Sequence, residues 1–174
     1  MPSASLFLYL DARDRALFTR WVVTDQATPR LRHFWRGMTH LGGATATITL
    51  STIPIALGGT YRTAAIHALW ILVMSHLVVQ LVKRSVGRPR PSLGVMSHTW
   101  IDEPDKFSFP SGHAAAAMSV ALAYAMAFPS LAVLLLGVAA IVGVSRVCLG
   151  VHYPGDVVIG QLIAIVTGAA VFAA

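Results

Sequence analysis

The chain has 174 residues, of which 56% are hydrophobic and only 11% charged, and its mean hydropathy is +0.69. That is one domain's length, and it is too apolar for an ordinary soluble protein, so a single membrane-embedded domain is expected. The formal charge of +6 does not point to nucleic acid, because the basic residues lie in short pieces between long apolar runs.

Residues 3–23 mix Leu6, Phe7, Leu8, Leu10, Leu17, Phe18, Trp21 and Val22 with Asp11, Arg13, Asp14, Arg15 and Arg20. The charges break up any cleavable apolar core and suit an amphipathic helix lying in the membrane interface. A bilayer core about 30 Å thick takes roughly 20 apolar residues of helix. By that ruler the first two spans are expected at 40–59 and 64–82, joined by the turn 58–62. Residues 83–109 are too charged to span and carry Pro89, Pro91 and Pro104, so function is expected to concentrate there. A third span is expected at 112–128 and a fourth at 131–149, reversed at Pro129-Ser130, with a shorter fifth at 157–174. Gly42, Gly43, Ala114 to Ala117, Gly137 and Gly143 provide small surfaces for close helix packing in lipid. Cys148 is the only cysteine, which excludes an intrachain disulfide and reads as a packing residue. The expected fold class is all-α: an integral membrane bundle of about five transmembrane helices plus an N-terminal interfacial amphipathic helix. It is one domain over 1–174, with 1–37 the interfacial segment and 38–174 the helical core.

Even hairpins put the end of the second span, the start of the third, the end of the fourth and the start of the fifth on one side. The charged and histidine-bearing residues sit at those four places: Lys83 with Arg90-Pro91, then Pro110-Ser111-Gly112-His113, then Ser145-Arg146, then His152 and Asp156. This is the chemistry of a phosphate site, and in a membrane protein it implies a lipid phosphate. A phosphoryl group in transfer spreads negative charge over its oxygens, and fixed cations such as Lys83, Arg90 and Arg146 stabilise it. Ser111-Gly112 precedes an alanine-rich helix, so Ser111 can cap it while first-turn amides face an anion. His152 and Asp156 are four apart, close enough for the carboxylate to hold one imidazole nitrogen and leave the other as a nucleophile. His113 remains to protonate a leaving alkoxide.

These three clusters resemble the type 2 phosphatidic acid phosphatase (PAP2) superfamily, whose pattern is Lys-x6-Arg-Pro, Pro-Ser-Gly-His and Ser-Arg-x5-His-x3-Asp. Here it reads Lys83 to Arg90-Pro91, Pro110 to His113, and Ser145-Arg146 to His152 and Asp156, with no signature position substituted. The resemblance covers about 37–174. It implies a metal-independent phosphoric ester hydrolase without cofactor, in which His152 forms a phosphohistidine, Asp156 activates it and His113 is the general acid. Lys83, Arg90, Ser111, Gly112 and Arg146 would hold the phosphate. Members typically have six spanning helices, so five plus an interfacial segment is a departure. The partners implied are a lipid phosphate substrate and membrane lipids, with no nucleic acid and the oligomeric state open. Phosphatidylglycerophosphate, phosphatidate, polyprenyl diphosphate and lipid A all fit this chemistry, because the signature reads the phosphate and not the tail. A non-catalytic lipid-phosphate binder or transporter is the alternative of another class, and the intact His152 and Asp156 count against it.

Arg84 and Arg88 match no signature position and are expected to anchor anionic head groups. Asp102, Glu103 and Asp105 form an acidic patch suited to screening head groups. His67 and His76, nine apart, fall on opposite helix faces and are expected to pack. Trp35, Trp70 and Trp100 read as interface or packing aromatics. Of the 13 Lys and Arg residues, 12 fall on the site's side and only Arg62 opposite. The positive-inside tendency then places the site toward the cytoplasm at the cell's inner membrane.

Overall fold

In a computed structural model, the structure describes the backbone of residues 2–24, 26–93, 99–101, 103 and 105–174, and their side chains except for 2–10 and 93. Asp102, Leu6, Phe7, Leu8 and Leu10 therefore lie outside the described side chains. The chain is all-helical: α1 Pro2–Trp21, α2 Pro29–His40, α3 Ala44–Thr52, α4 Gly59–Val86, α5 Gly112–Ala127, α6 Ala132–Cys148 and α7 Pro154–Ala173. Short 3-10 turns extend α3 over Ile53–Leu57 and lead into α6 over Pro129–Leu131.

Among the described residues, three helices are long and apolar enough to cross a bilayer, namely Gly59–Val86, Pro129–Cys148 and Pro154–Ala173. The five expected spans thus divide into these three and two shorter apolar helices, Ala44–Leu57 and Gly112–Ala127. Pro54 accounts for the first shortfall: lacking an N–H, it converts the end of α3 into a 3-10 turn. Gly58 and Gly59, at φ 75° and 52°, then reverse the chain into α4. α4 outruns the expected 64–82 at both ends and stops at Gly87, whose left-handed φ of 63° and N–H to the Lys83 carbonyl close the helix.

α5 is the second short helix, with a rise of only about 24 Å, and it is the core of the bundle. Helices α4, α6 and α7 pack around it, burying Ala114, Ala115, Ala117, Met118, Ala121 and Ala123. A helix apolar on every side belongs inside, and its alanines let three neighbours approach closely. Ser75 of α4 and Ser119 of α5 share a buried hydrogen bond of 2.9 Å, while Ser119 also donates to the Ala115 carbonyl. The outer surface is aliphatic, with Leu57, Leu81, Val133, Leu134 and Val166 among its most exposed side chains. An apolar belt of this kind suits a lipid environment.

The N-terminal segment contains two helices where one was expected. Thr28-Pro29 marks the second: Thr28 caps α2 by accepting from the Leu31 N–H at 3.4 Å, and proline fits the first helical turn. α1 is docked on the bundle by Phe18, which is fully buried against Ala114, Val147, Tyr153 and Val157. The loop after α4 is held on both sides. Pro89 and Phe107 form an antiparallel bridge, Ser108 N–H donates to the Arg88 carbonyl, and the Trp100 indole donates to the Val23 carbonyl at 2.8 Å. Arg36 donates twice to the Trp100 carbonyl and Arg32 stacks 4.7 Å from its ring.

Candidate active site

Four helix ends meet on one side of the bundle. The C-terminus of α4 brings Lys83, the loop behind it Arg90, the N-terminus of α5 Ser111 to His113, the last turn of α6 Arg146, the α6–α7 connection His152, and the first turn of α7 Asp156. Close approach there depends on glycine. A Cβ on Gly160 of α7 would strike the Ser111 carbonyl, and one on Gly42 would come within 2.7 Å of the His113 carbonyl. The Ser111 N–H donates to the Asp156 carbonyl at 2.9 Å, which ties the start of α5 to the start of α7.

Lys83, Arg90, Gly112, His113 and His152 line one cavity of about 700 Å³. Ser111 itself is a cap, its Oγ accepting from the Ala114 N–H at 3.4 Å. The amides of Gly112 and His113 stand in the first turn, at the positive end of the α5 dipole.

The His152 ring is buried between Arg90 and Asp156, and the contact with Arg90 sets its tautomer. Arg90 Nη1 lies 3.4 Å from Nε2, and Arg can only donate, so Nε2 is the bare nitrogen. Nδ1 faces Asp156 Oδ2 at 3.6 Å, just beyond hydrogen-bond reach, and is the nitrogen left to carry the proton. Burial, aided by the charges of Arg146 and Arg90 and opposed by Asp156, pushes the imidazole pKa down to about 4. At neutral pH the ring is therefore uncharged and offers a lone pair at Nε2.

Asp156 is buried and held at both oxygens. Oδ2 accepts from the Tyr153 N–H at 2.8 Å, and Oδ1 accepts from Arg88 Nη1 at 2.7 Å. This corrects the expected role of Arg88. It is not a head-group anchor: it also pairs with Asp14 and Asp11 of α1, each at 2.7 Å, and lies 4.1 Å from the centre of the Tyr153 ring. Burial opposes its charge, but the three carboxylates outweigh that and raise its pKa further. Arg84, by contrast, is exposed at the end of α4.

Asp105 is a second correction. Its carboxylate is not free to screen head groups, because it binds Lys83 Nζ at 3.0 Å and Arg90 Nη2 at 2.9 Å. Arg90 Nε also donates to the Asp105 carbonyl, and Lys83 Nζ to the Phe107 carbonyl. Burial works against the charged carboxylate, yet Lys83 and Arg90 hold its pKa below the ordinary value. Asp105 thus places an anion of the protein's own on two of the three site cations. Arg146 is different: it is 1% exposed, its Nη1 donates to Thr39 Oγ1 at 2.6 Å, and its Nε and Nη2 have no partner among the described residues.

Away from the charged end, the cavity runs along α3, α4 and α5 between Ile48, Leu69, Leu72, Val73, Leu77 and Ala116. Lys83 and Leu69 are fourteen residues apart on α4, so this apolar groove extends about 21 Å from the cations. His76 lines the groove, whereas His67 lines a separate cavity toward α7 and packs edge-on against Phe172. The two histidines do face opposite sides of α4. Cys148 is buried in the bundle, as its apolar neighbours implied.

Neither Arg88 nor Asp105 was identified from sequence as part of the site. The signal for Arg88 was present in Asp11 and Asp14, two acids three residues apart on an otherwise docking helix. Nothing in the spacing connected them to a residue more than seventy positions away.

Comparison with known proteins bears on this geometry. A model of the PAP2 superfamily matches residues 64–174. A lipid A 1-phosphatase of Rhizobium etli is 35% identical over 111 residues, covering 57% of this chain and 48% of that protein, so the chain spans about half the length of that curated relative. A decaprenylphosphoryl-5-phosphoribose phosphatase of Mycobacterium tuberculosis is 32% identical over 143 residues, covering 78% of this chain and 76% of the relative. The crystal structure of a transmembrane PAP2-type phosphatidylglycerolphosphate phosphatase from Bacillus subtilis superposes with a TM-score of 0.77 at 25% identity, over 98% of this chain and 94% of that one.

Proposed function

The chain belongs to the PAP2 superfamily, and from that premise we propose that it is a multi-pass membrane phosphatase that removes phosphate from a lipid phosphomonoester or diphosphate through a phosphohistidine at His152. One observation carries the reading: a single cavity joins the cationic end, with His152 and His113, to an apolar groove long enough for a hydrocarbon tail. Phosphate seated on Lys83, Arg90, Arg146 and the first-turn amides of α5 presents phosphorus to His152 Nε2. Attack forms the P–N bond as the P–O bond to the lipid breaks, and His113 gives its proton to the departing lipid oxygen. Asp156 stabilises the positive charge that develops on the ring. In the second half, water attacks phosphorus, His113 takes a proton from it, and the P–N bond breaks to release phosphate and neutral His152. No cofactor enters these steps, because the charge neutralisation comes from side chains.

The relatives' names supply three candidate substrates of one chemistry: lipid A 1-phosphate, a phosphorylated decaprenylphosphoryl ribose and phosphatidylglycerophosphate. The test is a panel of these with phosphatidate and undecaprenyl diphosphate in detergent and EDTA, scored for phosphate release. Release from at least one of them, inhibited by vanadate, is the expected result. Lipid binding without release from any of them would leave a binder and overturn the assignment.

In this reading α3 with its 3-10 extension and α5 join the three long helices as the fourth and fifth membrane-embedded elements, with α1 and α2 at the interface. The excess of Lys and Arg at the site's end supports an orientation toward the cytoplasmic face of the inner membrane. A cysteine at Thr60 is then labelled by an impermeant maleimide added from outside. Labelling only from the cytoplasmic side would reverse the orientation.

A further inference from the structure

We propose that Arg88 is a positioning residue for Asp156, and that helix α1 completes the catalytic centre through it. The inference rests on the reading of Asp156 as the orienter of His152 and adds what orients Asp156. A carboxylate on a helix first turn can rotate, and only one of its oxygens can serve the imidazole. Here Oδ2 is fixed toward His152 by the Tyr153 N–H, and Oδ1 is fixed by Arg88 Nη1, so rotation would break two bonds of 2.7 to 2.8 Å.

Arg88 is in turn over-determined. Its Nη1 is shared between Asp156 and Asp14, its Nη2 binds Asp11, and its Cζ lies 4.1 Å from the centre of the Tyr153 ring. The planar fork explains the choice of arginine, since lysine cannot bind carboxylates on two sides while stacking on a ring. Asp14 extends the network by accepting from the Gly155 N–H at 2.7 Å, and Arg15 shares Asp11 at 2.7 Å. A Cβ on Gly155 would come within 2.9 Å of Asp14 Oδ2, so the first turn of α7 is shaped to receive α1. Phe18, one turn further along α1, is fully buried against Tyr153 and Val157. The aromatic anchor and the ion network therefore grip the same turn, the one that carries His152 and Asp156.

Arg88 lies outside the groups that contact phosphate, and this separates its effect from theirs. On the panel lipid that the wild type turns over fastest, Arg88→Gln is expected to lower kcat by about 10- to 100-fold with KM changed less than about threefold, as loss of an outer hydrogen-bonding partner does. Arg88→Lys, which restores one charge, recovers part of that loss. In an Asp156→Asn background, Arg88→Gln costs less than about threefold more, because the carboxylate it positions is already gone. Removing Arg88 alone leaves three clustered carboxylates, so the triple variant Asp11→Asn/Asp14→Asn/Arg88→Gln guards against misfolding. It is expected to elute as the wild type does and to keep the low kcat. Asp11→Asn/Asp14→Asn alone is expected to lower kcat several-fold, on the order of 10, with Arg88 intact. Wild-type kcat in Arg88→Gln, a multiplicative loss in the Asp156→Asn background, or a rise in KM at unchanged kcat would each overturn the proposal. A wild type that releases no phosphate from any lipid would instead overturn the function it rests on.

Discussion

His152→Gln is expected to reduce phosphate release by about 10⁴-fold or more, the scale on which loss of a covalent nucleophile is felt. Glutamine keeps the volume and polarity of the site but has no lone pair basic enough to attack phosphorus. The physical basis is the environment of the ring. It is 1% exposed, bounded on the Nε2 side by Arg90 and on the Nδ1 side by Asp156, so substrate phosphorus meets one nitrogen in one tautomer. Acid-quenched wild-type protein turning over ³²P-labelled lipid phosphate should retain acid-labile, base-stable label, and His152→Gln none. Equal labelling of the variant would move the nucleophile elsewhere.

The same environment sets a pH dependence. An imidazole whose pKa lies at about 4 loses its nucleophilic form only as pH falls through that value, not through 6.5. The acid limb of kcat/KM that belongs to His152 should therefore lie near pH 4. A limb near 6.5 assigned to His152 would contradict the buried, cation-flanked ring.

The parts of the site legible in sequence are those whose geometry is covalent or nearly so. His152 and Asp156 are linked by one turn, Ser111 to His113 open one helix, and Lys83 and Arg90 close another, so short spacings carried them. Hairpin topology did the rest by bringing four helix ends to one side. Illegible were contacts whose partners lie far apart along the chain and match no local period. Arg88 looked like a surface cation because Asp11 and Asp14 are 77 and 74 residues away. Asp105 looked like a loop acid because nothing local indicates that its backbone folds over Lys83. The lengths of the apolar helices were illegible for a different reason: hydropathy measures apolar length and is blind to Pro54 shortening one helix and to α5 being sheltered by its neighbours.

Arg146→Met is expected to cut turnover by about a hundredfold or more while leaving thermal stability in detergent equal to the wild type's or higher. These two effects have one cause. Asp105 already pairs with both Lys83 and Arg90 in the protein itself, so a phosphate arriving there competes with a carboxylate. Arg146 has no carboxylate within ion-pair distance among the described residues, and two of its guanidinium nitrogens are unbonded. A buried cation of this kind costs desolvation energy in the resting protein, and an apolar residue of similar length removes that cost. With phosphate bound the balance inverts, because the same two nitrogens are free to meet the charge that develops on its equatorial oxygens. Loss of one such preorganised donor costs about 10²- to 10³-fold in kcat. Turnover and melting temperature of Arg146→Met, measured side by side, check both halves. A variant with near wild-type turnover would remove Arg146 from the chemistry, and one that melts well below the wild type would make it a structural ion.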